Sequence, residues 1–496
     1  MNLTHQNSRI LFGLKVKQIR QRRDMSFKDL SKATGLSVSY LNEIEKGKKS
    51  PKPDKIQTLA TALGTSYEDL TSNDLSGALS AVGKLLHSNF LNELPLDLFG
   101  IDLAKVVEII ANAPVRVGAF ISTMVELSRS YAFKEENFYF NAVRAYQELH
   151  YNYFEDIEQQ IATFIESSQL PSDRPVPVNL LARLLKKQFG YRIVETELTE
   201  YPELQHLRSV YLPEKKTLYL NPQMNEKQKA LQLGKELAYN YLKLEERIYT
   251  SSFLRVKNFQ TVLHNLMAGY FAVGILVHRD RILQDLTYIF EQPTWENANL
   301  LQLLMKYDVS PEVLFQRFNL LPRHFGMSKL FFIRVIHDPK TDFFEIDKEL
   351  HLNRQHEPHA NSLEEHYCRR WLSIGLLKDL ADTDAVGIDR VKTGVQLSRY
   401  TSTDDEYFCV TVARPAYFPS KNNVSVTIGL LVDKDLREKV RFLDDPKIPA
   451  RRVGVTCERC PLTDCRERAA PPVVLQRRQA KTNVESALER LSRGPE

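Results

Sequence analysis

The chain of 496 residues has only five cysteines and two tryptophans, and it has no run of about 18 apolar residues. So few cysteines exclude a secreted scaffold held by disulfides and favour a reducing cytoplasm. Without a long apolar run, we expect no segment to span a membrane. The first 25 residues are polar and basic and lack the apolar core of a signal peptide. The length predicts two to four domains in a soluble globular protein.

Positive charge is concentrated at the amino terminus. Residues 1–70 contain 13 Lys and Arg against 7 Asp and Glu, whereas the rest of the chain contains 54 against 55. A basic unit attached to a near-neutral body is typical of a protein that binds nucleic acid.

Two short helices joined by a tight turn are predicted inside this basic unit. Ser26 has the character of a helix N-cap, and the helix that it starts ends at Gly35. Ser37 caps the next helix, which ends at Gly47. Together with the helix that follows, residues 35–66 resemble the lambda-repressor/Cro-like helix-turn-helix family over its full width.

The resemblance implies that helix 37–46 enters the major groove of a double-stranded DNA operator and that the protein is a homodimer on two half-sites. Two glutamines common in the family are replaced, one by Phe27 or Lys28 and one by Val38, so the base preference is open. A helical protein-interaction module is the alternative, which the charge disfavours. The residues expected at the DNA are Ser37, Ser39, Tyr40, Asn42, Glu43, Lys46, Lys48 and Lys49.

The predicted pattern of helices and strands changes at a proline-rich segment in the middle of the chain. Residues 73–170 are predicted to be a helical connector or dimerisation region, and the three prolines in 171–177 mark a boundary. Residues 171–300 predict a helix, a strand, a hairpin and two helices, an order that resembles the ImmA/IrrE-like metallopeptidase domain.

That family binds zinc through a His-Glu-x-x-His helix, and neither histidine is present here. The matching positions are Lys235, Glu236 and Tyr239, and the third ligand position falls on Asn265. The resemblance therefore implies a degenerate zincin-like domain without zinc, and we expect no enzymatic activity.

Residues 301–472 predict a carboxy-terminal domain with an antiparallel sheet flanked by helices, followed by an Arg-rich tail at 473–496. With the helix-turn-helix at 1–72, the predicted fold class is a multidomain protein, mainly α with α+β parts.

A tight group of cysteines follows the last predicted strand. Cys457, Cys460 and Cys465 have the spacing Cys-x2-Cys-x4-Cys, with Pro461 directly after the second. Three thiols in one short loop suit a metal or iron–sulfur centre, whereas a disulfide would leave one thiol without a partner. Cys409, inside a predicted strand, is expected to be a buried core thiol.

Residues 456–472, TCERCPLTDCRERAAPP, resemble the signature of the short-chain fatty-acyl-CoA regulator family, and so does the order of the three parts. The likeness adds Cys368, beside Trp371, as a fourth ligand and implies a transcription factor that senses short-chain acyl-CoA and holds a 4Fe-4S cluster. Four thiolates also suit zinc. No residue is assigned to the acyl-CoA pocket. Three histidines lie near Cys368 in the sequence, His356, His359 and His366. We expect them to be surface residues, and the alternative is that one of them replaces a cysteine as a ligand.

Two rival functions remain open at this point. One is a zinc-stapled DNA-binding protein without a small-molecule ligand. The other is a repressor-cleaving metallopeptidase, against which Lys235, Tyr239 and Asn265 argue.

Overall fold

The computed structural model describes residues 3–72, 135–195, 197–251, 256, 258–352, 365–382, 390–403 and 405–493. Its contacts divide the chain into two compact units, one of residues 1–142 with 257–259 and one of residues 143–256 with 260–496. We call residues 3–72 the head and the second unit the body. Most of the predicted connector, residues 73–134, lies outside the described residues.

The head is a bundle of short helices around one apolar core. Val16, Leu41, Ile44 and Leu59, which lie on one face of their helices, are fully buried together. Lys15 and Arg20, on the first helix, are also buried. The helices are α1 (Leu3–Arg22), α2 (Phe27–Thr34), α3 (Val38–Glu45), α4 (Pro53–Leu63) and α5 (Tyr67–Thr71).

After α6 (Glu135–Leu149), most helices of the body precede its large sheet. A small three-stranded sheet lies among them, with β3 between β1 and β2. β2 and β3 form the predicted antiparallel hairpin, and β1 runs parallel to β3. These elements are α7 (Glu155–Ser167), α8 (Val178–Phe189), β1 (Arg192–Val194), β2 (Ser209–Leu212), β3 (Thr217–Leu220), α9 (Glu226–Tyr241), α10 (Phe259–Leu276), α11 (Arg279–Phe290), α12 (Asn297–Tyr307), α13 (Pro311–Gln316) and α14 (Leu321–Phe325).

A six-stranded sheet dominates the carboxy-terminal half. Its order is β5-β4-β8-β7-β6-β9, and α15 packs across one face. The predicted antiparallel sheet is confirmed except at one edge, where β9 runs parallel to β6. The elements are β4 (Leu330–Asp338), β5 (Phe343–His351), α15 (Leu372–Ala381), β6 (Lys392–Tyr400), β7 (Glu406–Pro415), β8 (Asn423–Leu431), α16 (Lys434–Lys439), β9 (Ala450–Val453) and α17 (Val473–Arg493).

The central strands are buried on both faces. In β7, Phe408, Val410 and Val412 belong to the large core of the body. The alternate residues Tyr407 and Cys409 belong to a second core, beneath α15. Because side chains alternate across a strand, this double burial produces the near-continuous apolar run seen in the sequence. The expectation that Cys409 is a buried core thiol is confirmed.

The predicted boundaries at 170/171 and 300/301 do not separate hydrophobic cores. Helix α7 falls within the predicted connector, yet it packs into the same core as α10. The ring centroids of Phe164 on α7 and Phe271 on α10 lie 5.3 Å apart. The same core continues to Ile448. The prolines near 171–177 lead into α8, with Pro177 as its N-cap, so they form a turn within one unit.

Among the described residues, α10 is one helix long and apolar enough to cross a membrane, and 67% of it is buried inside the protein. Burial of this kind is typical of a core helix, which passes the same test of length and composition.

Candidate nucleic-acid interface and cysteine cluster

The turn between α2 and α3 is built by caps at both ends. The Ser26 hydroxyl accepts a hydrogen bond from the Asp29 amide, and the Asp29 carboxylate accepts one from the Ser26 amide, which completes the predicted capping box. Gly35 ends α2 at φ +68°, in the left-handed region that favours glycine. The Ser37 hydroxyl accepts from the Tyr40 amide at 3.2 Å and starts α3.

Helix α3 turns one face into the head and one to solvent. Leu41 and Ile44 are buried, while Val38 is exposed. The predicted DNA residues are all accessible, although Ser37 also serves as the cap. Of these, Ser37, Ser39, Lys46, Lys48 and Lys49 are exposed, and Tyr40, Asn42 and Glu43 are half-buried.

A shallow concavity with a volume of about 410 Å³ lies beside α3. Some of the residues that line it belong to the set expected at the DNA, and others do not. Tyr40 is one of the lining residues, and the Lys55 and Lys49 ammonium groups lie 4.7 and 5.9 Å from its ring centroid. Lys49 also pairs with Glu43 at 2.9 Å. Lys55 was not among the predicted residues; its signal was its position in the first turn of α4, two residues after Pro53.

An ion pair between α1 and α3 fixes the end of α3 in the head. The Arg20 guanidinium donates to both Glu45 oxygens, at 2.6 and 2.9 Å, and to the Met25 carbonyl at 2.8 Å. It also lies 4.2 Å from the Phe27 ring centroid. The pair is well shielded, with side-chain exposures of 10% and 4%. The pKa of Arg20 is raised, because its hydrogen bond to Glu45 outweighs the cost of burial.

Three of the four predicted cysteine ligands lie in or next to two segments that pair in strand fashion. The Cys368 amide donates to the Val455 carbonyl at 3.0 Å, and the Cys457 amide donates to the His366 carbonyl at 2.8 Å. The Gly454 amide points at the Cys368 sulfur at 3.4 Å. A side chain at Gly454 would begin 3.0 Å from the Cys460 sulfur, a tight contact that favours glycine at this position.

Cys368, Cys457 and Cys460 are buried, whereas Cys465 is partly exposed, and all four thiols are free. Burial raises the pKa of Cys368 to about 11, and the charges of Cys460 and Cys457 contribute in the same direction. Within residues 365–382 and 405–493, as in the other described parts, no three His, Cys, Asp or Glu side chains stand as a ready-made metal site. The donor chemistry therefore suits a thiolate centre, but the present geometry does not assemble all four thiols around one point.

Charged side chains hold the cysteine loop in shape. The Arg468 guanidinium donates to the carbonyls of Cys457, Cys460 and Leu462. The Glu458 carboxylate accepts from the His366 amide and lies 2.7 Å from its Nδ1. His366 is thereby engaged with a carboxylate, and His356 and His359 lie outside the described residues.

The four positions aligned with the zinc-peptidase motif also converge in the body. The Lys235 ammonium donates to Asn265 Oδ1 at 2.6 Å, and the Tyr239 hydroxyl donates to the same atom at 3.3 Å. The two Glu236 carboxylate oxygens instead accept hydrogen bonds from Arg247 Nη2, at 2.8 and 2.7 Å, and one of them also accepts from the Tyr191 hydroxyl. The polar groups at these positions therefore satisfy one another, and an ammonium group stands where the motif would supply a ligand.

Residues 16–70 match the model of the helix-turn-helix family. The chain is 34% identical over 56 residues to the HTH-type transcriptional regulator DdrOP3 of Deinococcus deserti, a match that covers 11% of this chain and 43% of that protein. It is 38% identical over 65 residues to the control protein C.BamHI of Bacillus amyloliquefaciens, covering 13% of this chain and 80% of that protein. Both matches are shorter than the head, and this chain spans less than half the length of DdrOP3.

The fold was also compared with solved structures. A Mycobacterium tuberculosis transcriptional regulator superposes with a TM-score of 0.47 at 20% identity, over 67% of this chain and 93% of that one. A TM-score below 0.5 does not establish a shared fold.

Proposed function

The chain belongs to the helix-turn-helix family through residues 16–70, and on that premise we propose that it is a sequence-specific, DNA-binding transcription regulator. The observation that carries this proposal is α3, which is anchored by a buried ion pair and two buried apolar residues while its other face is open to solvent. An exposed second helix after a capped turn is the element that enters the major groove in such folds.

The DNA proposal is tested by selecting binding sites from a random DNA library with the full chain. Asn42→Ala is expected to weaken binding to the selected site about five- to 150-fold, because one bidentate amide–base contact discriminates by about 1–3 kcal/mol. Binding to unrelated DNA should change little. Asn483→Ala, at an exposed position on the tail helix, is the matched control. An equal loss on both DNAs would make Asn42 a phosphate contact.

The finer proposal is that the regulator responds to short-chain acyl-CoA, acts as a homodimer and works in the cytoplasm. Its support is the resemblance of residues 456–472 and of the domain order to the acyl-CoA regulator family. A ligand can act only if it favours one arrangement of the DNA-binding units over another. Titration of acetyl-, propionyl- and butyryl-CoA against DNA affinity tests the response to ligand. Sedimentation of the free protein tests the homodimer. Unchanged DNA affinity with all three would refute ligand control.

We also propose that Cys368, Cys457, Cys460 and Cys465 hold an iron–sulfur cluster of the 4Fe-4S type, with zinc as the alternative metal. Support comes from the donor set, three buried thiols in two paired segments with a fourth five residues further on. When bound, the group would supply a cross-link between the two segments and sensitivity to iron or oxidants. Protein purified without oxygen should contain about four irons with matching sulfide, whereas one zinc and no iron would make the site a structural staple.

The body is proposed not to be a peptidase. Lys235 and Tyr239 stand in place of the two histidines, and both hydrogen-bond to Asn265 at the third ligand position. An ammonium group repels a metal cation, and Glu236 is already neutralised by Arg247. Cleavage of a peptide library by the zinc-supplemented protein, abolished by Glu236→Gln, would overturn this proposal.

A further inference from the structure

A single arginine fastens the cysteine loop from within. The Arg468 guanidinium donates through Nη1 to the Cys457 carbonyl at 2.7 Å, and through Nη2 to the carbonyls of Cys460 and Leu462. These acceptors lie six to 11 residues earlier in the chain, so the side chain closes the loop on itself. Arg468 is half-buried, and its bonds are therefore only partly exposed to competition from water.

The bonded carbonyls belong to a short 3-10 turn and the residues that follow it. The turn covers Cys457–Arg459, and the Cys460 amide donates back to the Cys457 carbonyl at 3.3 Å. The last carbonyls of a helical turn have no donor within the turn, and a nearby cationic side chain can satisfy them. Arg468 does so here, and it thereby holds Cys457 and Cys460 in one backbone conformation.

The backbone directly after Arg468 reaches one of the thiols. The Ala469 amide donates to Cys457 Sγ at 3.3 Å. Cys457 is therefore held at its carbonyl by the Arg468 side chain and at its sulfur by the next amide. A second amide, that of Gly454, points at Cys368 Sγ at 3.4 Å. Donors that face a sulfur favour its thiolate form, which is the form that binds metal.

Gly454 also lies close to a thiol of the loop. A Cβ at this position would lie 3.0 Å from Cys460 Sγ, and Trp371 Nε1 donates to the Gly454 carbonyl at 2.9 Å. One glycine thus contacts a sulfur from each of the two paired segments, Cys368 and Cys460. Close packing of sulfurs against bare backbone fits a centre held by thiolates.

Other charged residues of the loop act on its outside. Arg459 pairs with Glu365, and the Glu458 carboxylate accepts from the His366 amide at 3.0 Å. These contacts join the loop to the neighbouring segment through side chains and one amide of that segment. Arg468 differs because it contacts the backbone of the cysteines themselves.

We propose that Arg468 is the positioning residue of the thiolate centre, which sets the loop so that Cys457 and Cys460 are preorganised to bind metal. This inference rests on the proposed metal centre and holds for zinc and for an iron–sulfur cluster alike. Residues of this kind orient the ligands without touching the metal, and their loss costs about 10–100-fold in metal affinity. The guanidinium charge also offsets the negative charge that several thiolates bring to one site.

Cobalt(II) titration of the full chain, after removal of any bound metal, tests the role of Arg468. Absorbance from sulfur-to-cobalt charge transfer reports both affinity and the number of bound thiolates. Arg468→Met keeps the length of the side chain but loses its donors, and it should weaken cobalt affinity about 10–100-fold. Arg468→Lys should recover only part of this loss, because an ammonium group is a point charge and not a fork. Arg466→Met, at an exposed position two residues earlier, is the matched control and should bind cobalt as the unchanged protein does.

The charge-transfer intensity at saturating cobalt separates positioning from a general loss of stability. A misplaced cysteine binds no cobalt, so the intensity per cobalt should be lower in Arg468→Met than in the unchanged protein. A side chain that only stabilised the fold would leave that intensity unchanged once cobalt is saturating. If Arg468→Met does not fold, Arg468→Lys decides, since it keeps the charge and should still show a lower affinity and intensity.

The outcomes distinguish this inference from the metal centre on which it rests. Equal affinity and equal intensity in the Arg468 variants and the unchanged protein would overturn the positioning role and leave the centre in place. An equal loss in Arg466→Met would trace the effect to the charge of the loop and would also overturn it. An unchanged protein without any sulfur-to-cobalt absorbance would refute the centre itself, and the role of Arg468 with it.

Discussion

Removing the partner of Arg20 should destabilise the head and leave the stability of the body unchanged. Glu45→Ala leaves the guanidinium enclosed, with 10% of its side chain exposed and its one carboxylate lost. The remaining contacts are the Met25 carbonyl and the Phe27 ring. Breaking a buried pair in this way costs about 3–5 kcal/mol. Because the guanidinium keeps its hydrogen bond to the Met25 carbonyl, we take the lower end, about 3 kcal/mol.

That loss is large against the stability of the head. A unit of this size has about 3.5–10 kcal/mol in all, at 0.05–0.15 kcal/mol per residue. A loss of about 3 kcal/mol raises the unfolded fraction of the head about 150-fold. DNA binding should fall steeply on warming, because α3 loses its attachment to α1.

The assay separates the two units. Trp295 and Trp371 are the two tryptophans of the chain and both lie in the body, so their fluorescence in urea reports the body alone. Hydrogen exchange of peptides from α3 and α4 reports the head. Glu45→Ala should accelerate exchange in those peptides and leave the tryptophan transition unchanged.

A double variant supplies the control. Replacing both partners with apolar residues, Arg20→Met with Glu45→Leu, removes the unpaired charge and should recover most of the lost protection. If the single and double variants exchange equally fast, the unpaired guanidinium is not the cause and the reasoning fails. Unchanged exchange in Glu45→Ala would refute it more directly.

Three further outcomes are expected. Lys48→Gln should weaken all DNA binding alike and reduce the slope of log affinity against log salt by about 0.9; a loss confined to the selected site would contradict a phosphate contact. Cys460→Ser should lower both metal content and thermal stability, and full metal occupancy in that variant would remove Cys460 from the ligand set. Burial tends to raise the pKa of Glu312, but pairing with Arg414 prevails and lowers it to about 2. The pair's contribution to stability is therefore full above about pH 4.5 and is lost as pH falls towards 2. The stability of the Glu312→Gln variant should depend less on pH over this range in an acid unfolding titration. An acid unfolding transition identical to that of the unchanged protein would contradict the assignment.

Local signals predicted the head well. The capping serines, the glycine after α2 and the apolar spacing of Val16, Leu41 and Ile44 all act within a few residues of chain. Their structural consequences follow from local geometry, so they are readable without knowledge of the rest of the fold. The sequence did not reveal that Arg20 is buried, because its partner is 25 residues away.

The body was harder to predict because its features depend on distant pairing. Strand β6 contains Lys392, Gly394 and Arg399 and has little strand character of its own; it forms because β7 supplies its hydrogen bonds. Strand β9 has two consecutive arginines and pairs with β6 at the edge.

The shared core of the body limits how such a chain can be rearranged in evolution. A gene fusion that replaces residues 3–72 exchanges a unit with its own core and leaves the core of the body unchanged. A crossover near residue 300 would instead cut through one continuous core that runs from Phe154 to Ile448. Recombination should therefore move the head between regulators readily, whereas the rest of the chain is inherited in one piece.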